Sequence, residues 1–300
     1  MQDLLIHKLT FARRLRLMAS LVATGCLAAG ASAQTSPAVT APAAQSAPGA
    51  ASPASEANAA FLAKASQLYY STSKAGLKSF DCAVHPEWRT LFLSAAPAGT
   101  PVADDDAKIL LLKTVAITLH GRLGGGSSLD WNVPSDPAKP IDAESKTALD
   151  GVHKGAEQTL IGFMQFWTPF VDGSVIPSSA DGIDFTRSDK GVTLHADQGG
   201  TSLTEVLGSD MVLQQFNVVT GGAKINFSPR YKPTDQGLLV NAFLAHIQPP
   251  STPADQAVEM HVEIEYRTVS GFTIPSEINV EVVGQGKFNF ALDGCTVNSQ

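Results

Sequence analysis

The stretch from Val258 to Val297 constrains the fold most. Apolar residues occupy every second position in Val258, Met260, Val262, Ile264 and Tyr266, with Glu259, His261, Glu263, Glu265 and Arg267 between them. That period marks a half-buried strand. The chain turns at Thr268 to Gly271 and returns through Phe272, Ile274, Ile278, Val280 and Val282, interleaved with Glu277, Asn279 and Glu281. A second turn at Gly284 to Gly286 leads into Phe288, Phe290 and Leu292. Three such strands form an antiparallel meander with one wet and one dry face, and the dry face needs a cover.

The cover is legible further back. From about Ala143 to Phe170, after a capping Asp142, the residues Leu149, Val152, Ala156, Leu160, Phe163, Met164, Trp167 and Val171 make one apolar stripe at helical spacing. Gly151 and Gly155 each cost such a helix up to about 1 kcal/mol relative to alanine, which predicts close packing there or a bend. Phe163, Phe166, Trp167 and Phe170 gather aromatic rings into two turns. They suit two readings: ordinary core against the sheet, or the lining of an apolar cavity between helix and sheet.

The remaining pattern is mostly strands. A first helix is expected over 56–72, capped by Ser55 or Asn58 and stopped by Gly76, and then a strand through Leu77, Phe80, Cys82 and Val84. Glu87 to Ala95 reads equally as a strand or a short helix. Asp104 to Asp106 open a short helix from Ala107 to Leu112, a placement the helix dipole favours; a calcium loop is the alternative, without a ligand set at loop spacing. A hairpin folds about Gly124 to Gly126, which lacks the Lys-Ser or Lys-Thr of a phosphate cradle. After Pro177 strands are expected at Ile183–Phe185, Val192–Leu194, Ser202–Leu207, Val212–Val219, Ile225–Ser228 and Leu238–Ile247. The class is α+β and β-rich: an incomplete antiparallel barrel of roughly 10–12 strands, with one long and one or two short helices over its concave face.

Residues 1–33 carry Lys8, Arg13, Arg14 and Arg16, an apolar run from Leu17 to Ala29, and Ala31-Ser32-Ala33. This reads as a cleavable secretory signal, too short to span a membrane, which needs about 20 residues. Ala23-Thr24-Gly25-Cys26 loosely matches a lipoprotein box, and lipid anchoring at Cys26 is the minor alternative. Residues 34–55 are nearly all Ala, Pro, Ser, Thr, Gln and Gly, expected as a disordered tether before a single domain at 56–300. Removing the leader's +3 from the net −7 leaves −10, which gives no footprint for nucleic acid or anionic membranes. Cys82 and Cys295 remain, either bridged in an oxidising compartment or as two buried thiols.

Catalytic signatures are missing: the chain has no Gly-x-Ser-x-Gly elbow, His-Glu-x-x-His pair or Cys-x-x-Cys pair. Glu259, His261, Glu263 and Glu265 share one face of one strand, but solvated charge is the ordinary content of a wet face. No catalytic residue, cofactor or metal is therefore expected.

The pattern Tyr266-x-x-Val269-x-Gly271-Phe272-x-Ile274-Pro275, at the end of hairpin-linked strands with an opening and an inserted helix, resembles the LolA/LolB-type lipoprotein-carrier superfamily. The resemblance implies an incomplete barrel around a cavity that holds acyl chains under helical lids. It would place Phe163, Phe166, Trp167 and Phe170 on the cavity, with Arg89 or Arg122 locking the lid. The cysteine pair, acidic balance and tether are not features of the classical carriers, which points to a tethered, divergent lipid-binding relative. The expected protein is non-enzymatic and exported to the periplasm or envelope of a Gram-negative-type bacterium, without a membrane span once the signal is cleaved. It would bind a lipid or acylated protein; the alternative is an envelope interaction or structural domain with a filled core.

Overall fold

The computed structural model of the chain describes residues 53–90, 107–134, 141–172 and 175–299. The leader with Cys26, residues 34–52 of the tether, residues 91–95 and the acidic triplet 104–106 lie outside the described residues.

The elements are α1 (Pro53–Ser66), β1 (Leu77–Pro86), α2 (Ala107–Leu112), β2 (Ala116–Arg122), β3 (Ser128–Asn132), α3 (Ala143–Val171), β4 (Asp184–Ser188), β5 (Gly191–Gln198), β6 (Thr201–Gly208), β7 (Leu213–Thr220), β8 (Ala223–Thr234), β9 (Gly237–Gln248), β10 (Val258–Val269), β11 (Phe272–Val282) and β12 (Gly286–Ser299). Trp88 to Thr90 form a helical turn after β1, the helical side of the two readings for that segment.

The twelve described strands make one antiparallel sheet in the order β3-β2-β1-β12-β11-β10-β9-β8-β7-β6-β5-β4. β3 and β4 are its two unpaired ends, so the sheet does not close into a barrel. Neighbours in the sheet are neighbours in sequence except at β1 and β12, where the earliest strand meets the last. There Cys82 and Cys295 are disulfide-bonded, at a bulge where Gly294 takes a positive φ of 54°. The bulge sets two residues opposite one and turns Cys295 toward its partner.

β8 runs past Ser228, where the sequence pattern ends, through Pro229 and Pro233. Its pairing with β7 stops at Phe227, while pairing with β9 continues to Thr234. Past Phe227 β8 is therefore an edge, where a residue lacking an N–H is tolerated. Pro275 in β11 likewise sits beside the register shift at Glu265/Tyr266 and before the start of the β12 ladder.

α3 starts as expected: the Asp142 carboxylate accepts from the Ser145 N–H at 2.9 Å and from its hydroxyl at 2.7 Å. Its apolar stripe lies on the dry face, with Leu160, Met164, Trp167 and Val171 at most 1% exposed. The expected close packing at Gly151 and Gly155 is absent. A Cβ at either position would meet nothing within 4 Å, because both face outward from the helix.

Helix α1 begins at Pro53 and ends at Ser66, short of the expected Thr72. Beyond its last turn the chain becomes a strap. Tyr70 N–H donates to the Leu238 carbonyl at 2.9 Å, and Leu238 N–H donates to the Leu68 carbonyl at 2.7 Å. Thr72 then sends both its N–H and its hydroxyl to the Val171 carbonyl, at 2.6 and 2.7 Å, which anchors the C-terminal end of α3. The tyrosine rings reach further: the Tyr69 hydroxyl accepts from the Leu213 N–H at 2.7 Å, and the Tyr70 hydroxyl from the Thr273 N–H at 3.1 Å. These bonds outweigh the helical period that would carry α1 onward, since they satisfy buried backbone groups of three strands. The strap lies where β9 and β10 part, because their ladder ends at Ala242–Glu263 although both strands continue.

One helix touches strands far apart in the sheet. His153 stacks on Trp131 of β3, and Phe166 packs on Phe227 of β8. In a flat sheet those strands would be about 34 Å apart, whereas the two helix positions are separated by about 20 Å along the axis. The sheet therefore curls around α3.

Candidate functional site

The site is the seam between α3 and the dry face of the sheet. Phe163, Phe166, Trp167 and Phe170 fall on one side of the helix by their spacing of three and four residues. All four are buried, none more than 4% exposed. Phe166 points to β8 and β9: its ring centre lies 4.6 Å from that of Phe227 and 6.0 Å from that of Phe243, and these two are 5.5 Å apart. Trp167 points to β1 and β10. Its ring meets Phe80 edge-on at 6.0 Å and stacks on Phe163 at 6.2 Å.

Trp167 also carries the polar tie between helix and sheet. Its indole N–H donates to the Tyr266 hydroxyl at 2.9 Å, and that hydroxyl donates to the Val240 carbonyl. Val240 lies where the β9–β10 ladder has ended, so its oxygen is open to a side chain from β10. Burial pushes the Tyr266 hydroxyl far above its ordinary pKa, which keeps it a neutral donor and acceptor. The Lys232 ammonium lies over this ring, 4.9 Å from its centre.

Two polar atoms of α3, His153 Nε2 and Gln165 Oε1, are buried without a hydrogen-bond partner among the described residues. His153 lies in an aromatic corner, stacked on Trp131 at 4.8 Å, with Trp88 edge-on to Trp131 at 5.9 Å.

A second polar spot lies on the dry face around Glu205 of β6, which is 3% exposed. Tyr69 and Tyr231 stand beside each other, their ring centres 5.3 Å apart. Burial, with the charges of Glu205 and Asp210 as further causes, pushes the Tyr69 hydroxyl up to about 12. Burial raises Tyr231 as well, with Tyr69 and Glu205 adding to it. Glu205 alternates in register with Leu203 and Leu207, so the strand period alone assigns it to the buried side. That period is the sequence signal that marks it. Phe227 and Phe243 were missed for another reason: their partner Phe166 is remote in sequence.

The structure buries the four predicted rings and joins Cys82 to Cys295. Arg89 and Arg122 are both exposed, and Trp167 and Thr72 make hydrogen-bonded contacts at the lid. An open groove of about 570 Å³ runs along α1, lined by Ala57, Phe61, Lys64 and Arg187, and shares no residue with the aromatic seam. Among the described residues no helix is long and apolar enough to cross a membrane. Nor do three or more His, Cys, Asp or Glu side chains among them form a metal-holding group. The seam offers apolar contact, a neutral hydrogen-bonded Trp–Tyr pair and a few buried polar atoms. Comparisons with family models, with curated proteins and with solved structures give no match to this chain.

Proposed function

We propose that this is an exported, non-catalytic envelope protein that takes up a lipid or acyl chain between α3 and the curled sheet. The observation that carries the reading is the aromatic ridge of Phe163, Phe166, Trp167 and Phe170, laid on the dry face of a sheet whose ends are not joined. An unclosed sheet lets a helix move away without breaking a ladder. The helix itself favours such motion: Gly151 and Gly155 weaken it with no packing contact in return, and Pro169 interrupts its last turns. His153 Nε2 and Gln165 Oε1 are buried polar atoms that a ligand's polar groups could satisfy. The Cys82–Cys295 bond is compatible with an oxidising, exported location. The resemblance of the closing hairpin to lipoprotein carriers supports the same reading.

A second reading has its own support. All four rings are buried, and Phe163, Phe166 and Trp167 have neighbouring ring centres at 4.6 to 6.2 Å, so the seam is filled in this structure and a ligand enters only if α3 shifts. A structural or interaction domain with a permanent core would look the same.

Native mass spectrometry with lipid extraction, on protein purified from periplasm without detergent, separates the two. A co-purified lipid near unit stoichiometry, lost on Phe163→Ala with Trp167→Ala, is the expected result. A bare mass, with no uptake of an acyl probe whose fluorescence reports an apolar environment, would leave the filled core standing.

A further inference from the structure

Strand β4 ends the sheet: β5 pairs with one of its edges, and no described strand pairs with the other. The backbone N–H and C=O groups along such an edge are a template for a further strand. Phe185 and Arg187 of β4 pair with Leu194 and Val192, both buried, so they belong to the dry face. Helix α1 lies against them. Its Phe61 ring meets that of Phe185 edge-on at 6.5 Å, and the Asn58 side-chain oxygen accepts from the Arg187 guanidinium at 2.8 Å.

The helix covers more than the chain itself fills. Leu62 and Ala65 are buried in the core, whereas Ala54, Ala57, Ala60 and Lys64 are exposed and, with Phe61 and Arg187, line the open groove of about 570 Å³. The sheet contributes only Arg187 of its end strand to that lining, and β5 contributes nothing. The groove therefore opens past the edge of the sheet, and α1 roofs the place that a thirteenth strand would take.

Charge narrows what can lie there. Among the described residues neither Lys64 nor Arg187 is in an ion pair. Arg187 is held over the Phe61 ring, 5.0 Å from its centre, and Asn58 takes up only part of its set of N–H donors. In a chain of net charge −7, an apolar groove bounded by two such cations is complementary to a carboxylate. Residues 34–52 of this chain contain no Asp or Glu. A second copy, paired edge to edge about a two-fold axis, would bring its own Arg187 and Lys64 against the first pair.

We propose that a partner protein adds an extended acidic segment to the free edge of β4, beneath α1. Its backbone continues the ladder, and every second side chain points into the groove. A carboxylate among these meets Arg187 and Lys64, and small apolar neighbours meet Ala57 and Phe61.

Fluorescence anisotropy of a labelled peptide, Thr-Val-Thr-Glu-Thr-Val-Thr-amide, with protein purified from periplasm tests the assignment. As a strand this peptide carries Val, Glu and Val on one side. The expected result is saturable binding at one site per chain, weakened about tenfold when Lys replaces the peptide's Glu or when Arg187→Gln is combined with Lys64→Gln. Both side chains are exposed, so circular dichroism should show the variant folded. Two peptide analogues, N-methylated on alternate sets of amides, separate a ladder from loose contact: one should lose binding and the other keep it. No saturable binding by millimolar peptide, indifference to the exchange of Glu for Lys, or equal binding of the two N-methyl analogues would each overturn the proposal. So would a dimer of the protein alone in analytical ultracentrifugation that is lost on Arg187→Gln, which would give the edge to a second copy. The groove shares no residue with the seam under α3, so none of these outcomes depends on whether that seam takes a lipid.

Discussion

Cys82 and Cys295, 213 positions apart in the chain, are covalently joined on neighbouring strands. They secure the one junction of the sheet, among the described strands, where the paired strands are not consecutive in sequence. On the chain-entropy view a loop of this length is worth about 5 kcal/mol when closed. Urea unfolding of the oxidised protein and of a Cys82→Ser, Cys295→Ser variant should show a large drop in midpoint. An unchanged midpoint would mean that the β1–β12 ladder alone suffices.

The Trp167–Tyr266 bond can be weighed apart from the bulk of its rings. Trp167→Phe keeps an aromatic ring but removes the donor, and Tyr266→Phe removes both the acceptor for Trp167 and the donor to Val240. Each should cost about 1–3 kcal/mol, from polar groups left unsatisfied. Trp167→Ala should cost about 3–5 kcal/mol by opening a cavity. In a double-mutant cycle the two Phe variants should be less than additive, and strict additivity would deny the bond a part in stability.

Glycines on α3 and on β2 should respond to alanine in opposite directions. Gly151→Ala and Gly155→Ala meet open space, so each should stabilise by up to about 1 kcal/mol. Gly121→Ala would drive its methyl into the Phe80 ring and should destabilise by roughly 1–3 kcal/mol. Thermal melts of the three variants check both signs. If α3 moves to admit a ligand, the stiffened Gly151→Ala, Gly155→Ala double variant should also take up an acyl probe more slowly.

His120 should make stability depend on pH. Hydrogen bonds to Asp81 of β1, and then to Asp130 of β3, raise its pKa above the ordinary value. A group raised in the folded state contributes stability that is fully present below its unfolded pKa, about 6.5, and is lost as pH rises through the folded value. Urea midpoints should therefore fall between mildly acidic and mildly alkaline pH, and His120→Gln should flatten that part of the profile. An unchanged slope in the variant would assign the dependence to other groups.

Legibility in the sequence tracks the range of the interactions involved. The bounds of α3 are plain because its cap and stripe are local: Asp142 and Ser145 sit three residues apart, and Leu149 to Val171 repeat at one period. The hairpins from β4 to β12 are plain for the same reason. The strap at Tyr69 to Thr72 is not, since Tyr69 continues the helical spacing of Phe61 and Leu68 and is diverted by Leu238, Leu213 and Val171. The site is half legible. Which rings gather on α3 can be read from positions 163 to 170, but the space left for a ligand depends on Phe80, Phe227, Phe243 and Tyr266, each contributed by a different strand.

The order of the strands also sets a timetable. β1 lies in the interior of the sheet, flanked by β2 and β12, yet β12 follows every other described strand in order of synthesis. While the intervening chain is made, β1 shows an open edge, and edges of that kind recruit other chains. An interior junction of this sheet is thus its last part to be completed, and a polypeptide halted before Gly286 would carry its most vulnerable edge where the finished protein has its disulfide.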